Sequence, residues 1–201
     1  MILSLNRRIV DHWNMVKEGG WNNLNLDIPV LRLSQSTLGI VGFGRIGRTI
    51  SERMSPMGVK CVAYDPLLKE GEIINNIEIV SFEKLLEISD FITVHVPLIE
   101  STYHLFSKNE FNKMKNNAIL VNCARGGLID ESEASIALDK GIIGGIGLDV
   151  IEDVSENPTS PLFNNNNVII TPHTAFFSKA SSEELQRRTC EEVIRVINNE
   201  I

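Results

Sequence analysis

Short runs of apolar, largely β-branched residues alternate along this chain with segments of helical periodicity, and no other feature restricts its fold so strongly. The runs are TLGIV (37–41), VKCVAYD (59–65), NIEIVS (76–81), DFITVHV (90–96), NAILVNCA (117–124), GGIGLDV (144–150) and NVIIT (167–171). Between them lie a helix from a glycine-rich turn at Gly42 to about Pro56, the SFEKLLEIS segment, a helix near Lys108 to Met114 and another from about Glu131 to Lys140. Runs apolar throughout are buried on both faces, so the pattern predicts an α/β fold whose parallel sheet is covered by helices on each side. Ahead of it, Ile2, Leu5, Ile9, Trp13 and Val16 recur at helical spacing, predicting one helix from Met1 to Glu18 that Gly19-Gly20 ends. A closing amphipathic helix is expected from Ser181 to Asn199, with Leu185, Val193, Ile194 and Ile197 on one side. The Asn164–Asn167 run reads as a loop.

Composition removes several classes of function. The 201 residues carry 26 acidic and 19 basic side chains, a net charge of −7, without a Lys/Arg block. Phosphate contacts dominate nucleic-acid affinity, so an acidic chain of this kind is not expected to bind DNA or RNA. No segment approaches the roughly 20 apolar residues of a membrane span, and the start lacks the order of a secretory signal. Cys61, Cys123 and Cys190 are odd in number and widely spaced, suggesting neither disulfides nor a metal site. A cytoplasmic location is the expectation.

The turn after the first strand reads Gly42-Phe43-Gly44-Arg45-Ile46-Gly47, a GxGxxG between strand and helix. There the first glycine permits the tight turn, the second lets a pyrophosphate approach the backbone, and the third lets helix and strand pack closely. Asp65 ends the next strand eighteen positions after Gly47, where a carboxylate can accept hydrogen bonds from both adenosine ribose hydroxyls. The same charge repels a ribose 2′-phosphate, so NAD is expected over NADP. Three further segments, His95-Val96-Pro97, Asn122 to Gly127 and Thr171-Pro172-His173, lie at strand ends, where open α/β sheets bind ligands.

Taken together and in order, GFGRIG, YDP, VHVPL, NCARGGLID, GLDV and TPHTAF resemble the D-isomer-specific 2-hydroxyacid dehydrogenase family over the whole chain. The aromatics after His173 lean toward its D-lactate dehydrogenase and corepressor branches. The resemblance implies a Rossmann-type, doubly wound parallel sheet with flanking interdomain helices. It divides the chain into an interdomain or dimer helix (1–20), an NAD-binding domain (21–180) and a truncated interdomain helix (181–201). It also implies a homodimer and a separate substrate domain that this chain does not contain, so a fragment, a truncated gene or a misassigned start is expected. The cofactor site implied comprises Gly42, Gly44, Arg45, Ile46, Gly47, Asp65, Val96, Pro97, Thr102, Cys123, Ala124, Arg125, Asp149 and His173, with no metal.

Reducing a 2-oxo acid requires a cation for its carboxylate and a proton donor at its carbonyl oxygen. Arg125 offers a permanently charged fork for the first, and His173 a proton mobile near neutral pH for the second. His95 is expected to contact cofactor or backbone, and His12 and His104 to be incidental. Family members place a glutamate five positions after the aspartate of GLDV to pair with the histidine. Here that position is Val154. Glu156, in a Glu156-Asn157-Pro158 sequence two residues later, is taken as its replacement, with Glu152 and Asp153 as alternatives and a solvated acidic loop as the plainer possibility. Cys123 reads as a small lining residue rather than a reactive thiol. The expected function is hydride transfer between NAD(H) and a D-2-hydroxy acid/2-oxo acid pair, poorly supported by the isolated chain. The alternative is an NAD-responsive, dimeric interaction protein of corepressor type with vestigial catalytic residues.

Overall fold

A computed structural model of the chain describes residues 1–21, 29–156 and 158–198. The strands are β1 (Thr37–Val41), β2 (Lys60–Tyr64), β3 (Ile73–Ile74), β4 (Ile77–Ile79), β5 (Phe91–Val94), β6 (Ile119–Asn122), β7 (Gly145–Leu148) and β8 (Val168–Ile170). The helices are α1 (Ile2–Asn6), α2 (Ile9–Lys17), α3 (Arg45–Met54), α4 (Phe82–Ile88), α5 (Lys108–Lys113), α6 (Glu131–Asp139) and α7 (Lys179–Ile197). One eight-stranded sheet runs in the order β3-β4-β2-β1-β5-β6-β7-β8. Every pairing is parallel except β3 with β4.

In the central strands alternate residues enter two separate cores. Val41, Ile92, Val94, Leu120 and Leu148 pack with Leu85 and Leu86 of α4, Phe111 of α5 and Ala134 and Leu138 of α6. Leu38, Ile40, Phe91, Ile119 and Val121 face the other way, toward Leu5 of α1 and Ile50 and Met54 of α3. This two-sided burial explains the largely apolar runs of the central strands β1, β5 and β6.

The sequence pattern needs correction at three places. The predicted single helix over Met1–Glu18 is two, because Arg8 adopts a left-handed backbone (φ 52°) between α1 and α2. Arg8 turns inward there, donating to the side chain of Asn167 at 2.7 Å and pairing with Asp11 at 2.8 Å. The sheet is not wholly parallel, since Ile73–Ile74 folds back on β4 as a short antiparallel edge. The closing helix buries none of its residues, and Leu185, Val193, Ile194 and Ile197 are all exposed. Asn199, the expected end of that helix, lies outside the described residues. None of the described helices is long and apolar enough to cross a membrane, and no described group of His, Cys, Asp and Glu is arranged to hold a metal.

Candidate active site

The glycine turn is shaped by its neighbours before any ligand is considered. Gly42 has φ 94°, and a Cβ there would lie 2.7 Å from the carbonyl carbon of His95. At Gly47 a Cβ would meet the carbonyl oxygen of Gly42 at 2.2 Å. Gly44 differs: nothing lies within 4 Å of its Cβ position. It caps α3 without a side-chain acceptor and is exposed together with Arg45 and Ile46. The first N–H groups of α3 therefore open onto an unobstructed surface, the arrangement that receives phosphate oxygens.

Asp65 follows β2 directly and reaches across to this turn. Its Oδ2 accepts the N–H of Phe43 at 2.9 Å, and its Oδ1 accepts the N–H of Leu67 at 3.0 Å. A carboxylate can accept about four hydrogen bonds, so capacity remains for ribose hydroxyls. Open N–H groups, a cradle free of side chains at Gly44 and a partly used carboxylate together fit an adenine dinucleotide.

A cleft of about 1480 Å³ crosses the ends of β5, β6 and β8, walled by α1 and α3. Of the residues expected at the site, Ile46, Val96, Pro97, Cys123, Ala124 and Arg125 line it. His95 also lines it, half-buried, with Nε2 hydrogen-bonded to Thr93 Oγ1 at 2.9 Å. Burial pushes the imidazole of His95 down to about 4, so it is neutral under ordinary conditions. Thr102 lies outside the cleft lining, and its hydroxyl donates to the carbonyl of Pro97 at 2.6 Å, fastening the loop after β5. The thiol of Cys123 is pushed up by burial and by the nearby charge of Asp149, which suits a lining residue rather than a nucleophile.

Arg125 is held from below by a residue sequence reasoning passed over. The fully buried amide of Asn122 accepts the N–H of Ala124 at 2.9 Å and donates to the carbonyl of Arg125 at 2.8 Å. The guanidinium of Arg125 is exposed, donates to the carbonyl of Ala124 at 2.7 Å and forms no ion pair among the described residues. Its fork is thus available to a carboxylate.

Asp149 organises the turn that bears His173. The buried carboxylate accepts the hydroxyl of Thr171 at 2.5 Å and the N–H groups of Thr174 at 2.9 Å and Ala175 at 2.8 Å. Burial pushes its carboxyl up, but these bonds and the charge of His173 outweigh burial and hold it below the usual range. With its oxygens so engaged, Asp149 acts on this turn rather than displaying itself to the cleft, which it does not line. His173 adopts φ 54°, with its N–H donating to the carbonyls of Asp149 at 2.8 Å and Thr171 at 2.9 Å. Its exposed ring meets Phe176 edge-on at 6.1 Å.

The three candidate partners for His173 are differently employed. Asp153 accepts the N–H groups of Ser155 at 3.0 Å and Thr159 at 2.8 Å, and these bonds hold its carboxyl down at about 2. Glu152 accepts the hydroxyl of Tyr103 at 2.7 Å and faces His104 at 3.3 Å. His104, expected to be incidental, is therefore part of a cluster: it stacks on Tyr103 and also lies 3.6 Å from Asp130. Glu156 is exposed and has no hydrogen-bond or ion-pair partner among the described residues, and Asn157 beside it lies outside them. His12 binds the carbonyl of Arg8 through Nδ1 at 2.8 Å, away from the cleft.

Residues 1–175 match the family model for the D-isomer specific 2-hydroxyacid dehydrogenase, NAD binding domain. The chain belongs to this family. Similar curated proteins include a glyoxylate reductase of Korarchaeum cryptofilum, 37% identical over all of this chain and 61% of the relative. A hydroxypyruvate reductase of Thermotoga maritima is 38% identical over all of this chain and 64% of its own length. Among solved structures, D-lactate dehydrogenase with NAD+ from Lactobacillus jensenii superposes with a TM-score of 0.86 at 30% identity, covering 98% of this chain and 63% of that one. The chain thus spans about three fifths of the length of these dehydrogenases and contains their NAD-binding domain.

Proposed function

We propose that this chain is the NAD-binding half of a D-2-hydroxyacid dehydrogenase that moves hydride between NAD(H) and a small 2-oxo acid/2-hydroxy acid pair. The observation carrying this is the guanidinium of Arg125, without an ion pair among the described residues, lining a cleft that Ile46 in the first turn of α3 also lines. The family and the relatives' names make glyoxylate, hydroxypyruvate and pyruvate the first acids to try. No observation favours the corepressor alternative.

The roles proposed follow from the positions above. Gly44, Arg45 and Ile46 receive the pyrophosphate on a turn that Gly42 and Gly47 shape, Asp65 receives the adenosine ribose, and Val96, Pro97, Cys123 and Ala124 flank the nicotinamide half. NAD(H) supplies the hydride when bound. Arg125 orients the substrate carboxylate, and His173 holds the proton for the carbonyl oxygen, with Glu156, which has no partner among the described residues, as the carboxylate that pairs with it. Residues 21–180 make up the nucleotide domain, the protein works in the cytoplasm, and α2, with Trp13 exposed, contributes to a homodimer.

The test is direct. NADH titration of the 201-residue chain should show binding, while NADH consumption with the three acids should stay well below about one turnover per second, since substrate is neither enclosed nor oriented. Failure to bind NADH refutes the assignment. In a version joined to a substrate domain, Arg125→Lys should cost roughly 2 to 4 kcal/mol in kcat/KM, because charge is kept and the fork lost. Activity within about twofold of the parent removes Arg125 from the site.

A further inference from the structure

Glu131 is 7% exposed on the first residue of α6, six positions after Arg125. A leucine would fill that space without needing donors, so burial of a carboxylate here calls for partners that use it. It has two. Oε1 accepts the N–H of Glu152 at 2.8 Å, and Oε2 accepts the hydroxyl of Ser160 at 2.5 Å. These donors sit on opposite sides of the neck of the loop between β7 and β8: Glu152 where the chain departs, Ser160 where it returns toward fully buried Leu162. Beyond the neck, Asp153 joins Ser155 to Thr159 and gives the loop its own closure.

The same neck presses on the turn that carries Arg125. A Cβ on Gly126 would lie 2.1 Å from the carbonyl oxygen of Ile151 and 2.5 Å from the nitrogen of Glu152. Between Arg125 and Glu131, Gly127, Leu128 and Ile129 are buried, and the N–H groups of Leu128 and Ile129 donate to the carbonyls of Arg125 at 3.2 Å and Gly126 at 3.0 Å. One stretch of chain therefore bears Arg125 at its start and, at its end, the carboxylate that ties down Glu152 beside it.

We infer that Glu131 is a positioning residue: it clasps Glu152 and Ser160, on the two sides of the loop's neck, and so sets Ile151 and Glu152 against the Arg125 turn. Its meaning for catalysis rests on the dehydrogenase proposal, whereas the clasp itself does not.

The experiment is amide hydrogen exchange and 1H–15N spectra on the labelled 201-residue chain, comparing the parent with Glu131→Ala, Glu131→Gln and Ser160→Ala, each titrated with NADH. Glutamine keeps a carbonyl for the Glu152 N–H and can donate to Ser160, so it should restore what alanine loses. In Glu131→Ala, exchange at the Glu152 amide should rise at least about tenfold and the Gly126 amide and Arg125 Nε–H resonances should move, with both effects within about twofold of the parent in Glu131→Gln. Unmoved Arg125 and Gly126 resonances in Glu131→Ala overturn the inference, as does a Gln variant that behaves like Ala. If Glu131→Ala does not fold, Ser160→Ala decides: it should speed exchange at Leu162, whose N–H donates to Ser160 Oγ at 3.2 Å, and shift Gly126. An unshifted Gly126 overturns the inference. A parent chain that does not bind NADH strikes at the functional proposal and leaves the clasp standing.

Discussion

Replacing Asp65 separates two jobs that one carboxylate performs. Its Oδ2 is the acceptor for the N–H of Phe43, a residue only 1% exposed, so Asp65→Ala strands a buried donor at a cost of about 1 to 3 kcal/mol. The other bond, to Leu67, sits on a residue 91% exposed, where water replaces the lost acceptor. For a domain of this size the loss corresponds to a fall of about 2 to 12 °C in Tm. The charge acts independently. At ~4 Å a 2′-phosphate feels a repulsion of about 1 to 4 kcal/mol, and removing it should relieve NADPH while NADH loses hydrogen bonds to a charged acceptor. Asp65→Asn distinguishes these jobs, because its remaining carbonyl can serve Phe43 while the charge is gone. The expected pattern is a clear NADH preference in the parent, a narrowed preference in both variants, and a large Tm loss in alanine alone. Fluorescence titration with NADH and NADPH beside thermal melts reads all three. Equal affinities in the parent, or an unchanged ratio in Asp65→Asn, would refute the reasoning.

Gly47→Ala should destabilise by about 1 to 3 kcal/mol or more in chemical denaturation, since its Cβ must displace the backbone oxygen of Gly42. Gly44→Ala, with open space at its Cβ and φ −77°, should leave stability within about 0.5 kcal/mol while weakening NADH roughly tenfold. His95 titrates at about 4 when folded and 6.5 in its ordinary state. The unfolded chain therefore takes its proton first, and stability complete above pH 6.5 declines by about 3 kcal/mol as pH falls to 4. Denaturation at several pH values should show a shallower decline in His95→Gln, and parallel curves would remove His95 as its source. Asn122→Ala, which abandons both bonds of the Arg125 turn, should cost roughly 2 kcal/mol on the same measurement.

The strands were legible because burial on both faces leaves only apolar residues to read, and TLGIV at 37–41 coincides with β1 residue for residue. β3 was not, because two residues paired antiparallel at an edge carry no periodicity. The break between α1 and α2 was hidden for another reason: Ile2, Leu5 and Ile9 stay in helical phase across it, and nothing in an arginine signals the left-handed backbone that Arg8 adopts. Near the site, the strand-end positions of Gly42, Asp65 and His95 are legible from pattern, whereas the course of the loop after β7 is not. Its conformation depends on side chains capping backbone at Asp153 and on the carboxylate of Glu131, which in sequence looks like any acid in a first helical turn.

Register, more than any single motif, brings the parts of the site together. Val41 pairs with Tyr64 and with Val94, Val94 with Asn122, Asn122 with Leu148, and Leu148 with Ile170. Each of these is the last residue of its strand, so the next residues form one row across the sheet: Asp65, Gly42, His95, Cys123, Asp149, Thr171. The sheet grows in opposite directions from β1, toward β2 on one side and β5 on the other, which opens a crevice between Gly42 and His95. With strands about 4.8 Å apart, Asp65 and Cys123 stand three spacings or about 14 Å from each other, a gap for an extended dinucleotide rather than a mononucleotide. The glycine at 42 follows from the same register, because the N–H of His95 donates to Val41 at 2.7 Å and leaves no room for a Cβ beside it. A slip of one residue in β5 would carry His95 about 3.3 Å along the strand and turn its side chain to the other face. The apolar strand cores that forbid such a slip are therefore what holds the chemical groups in line.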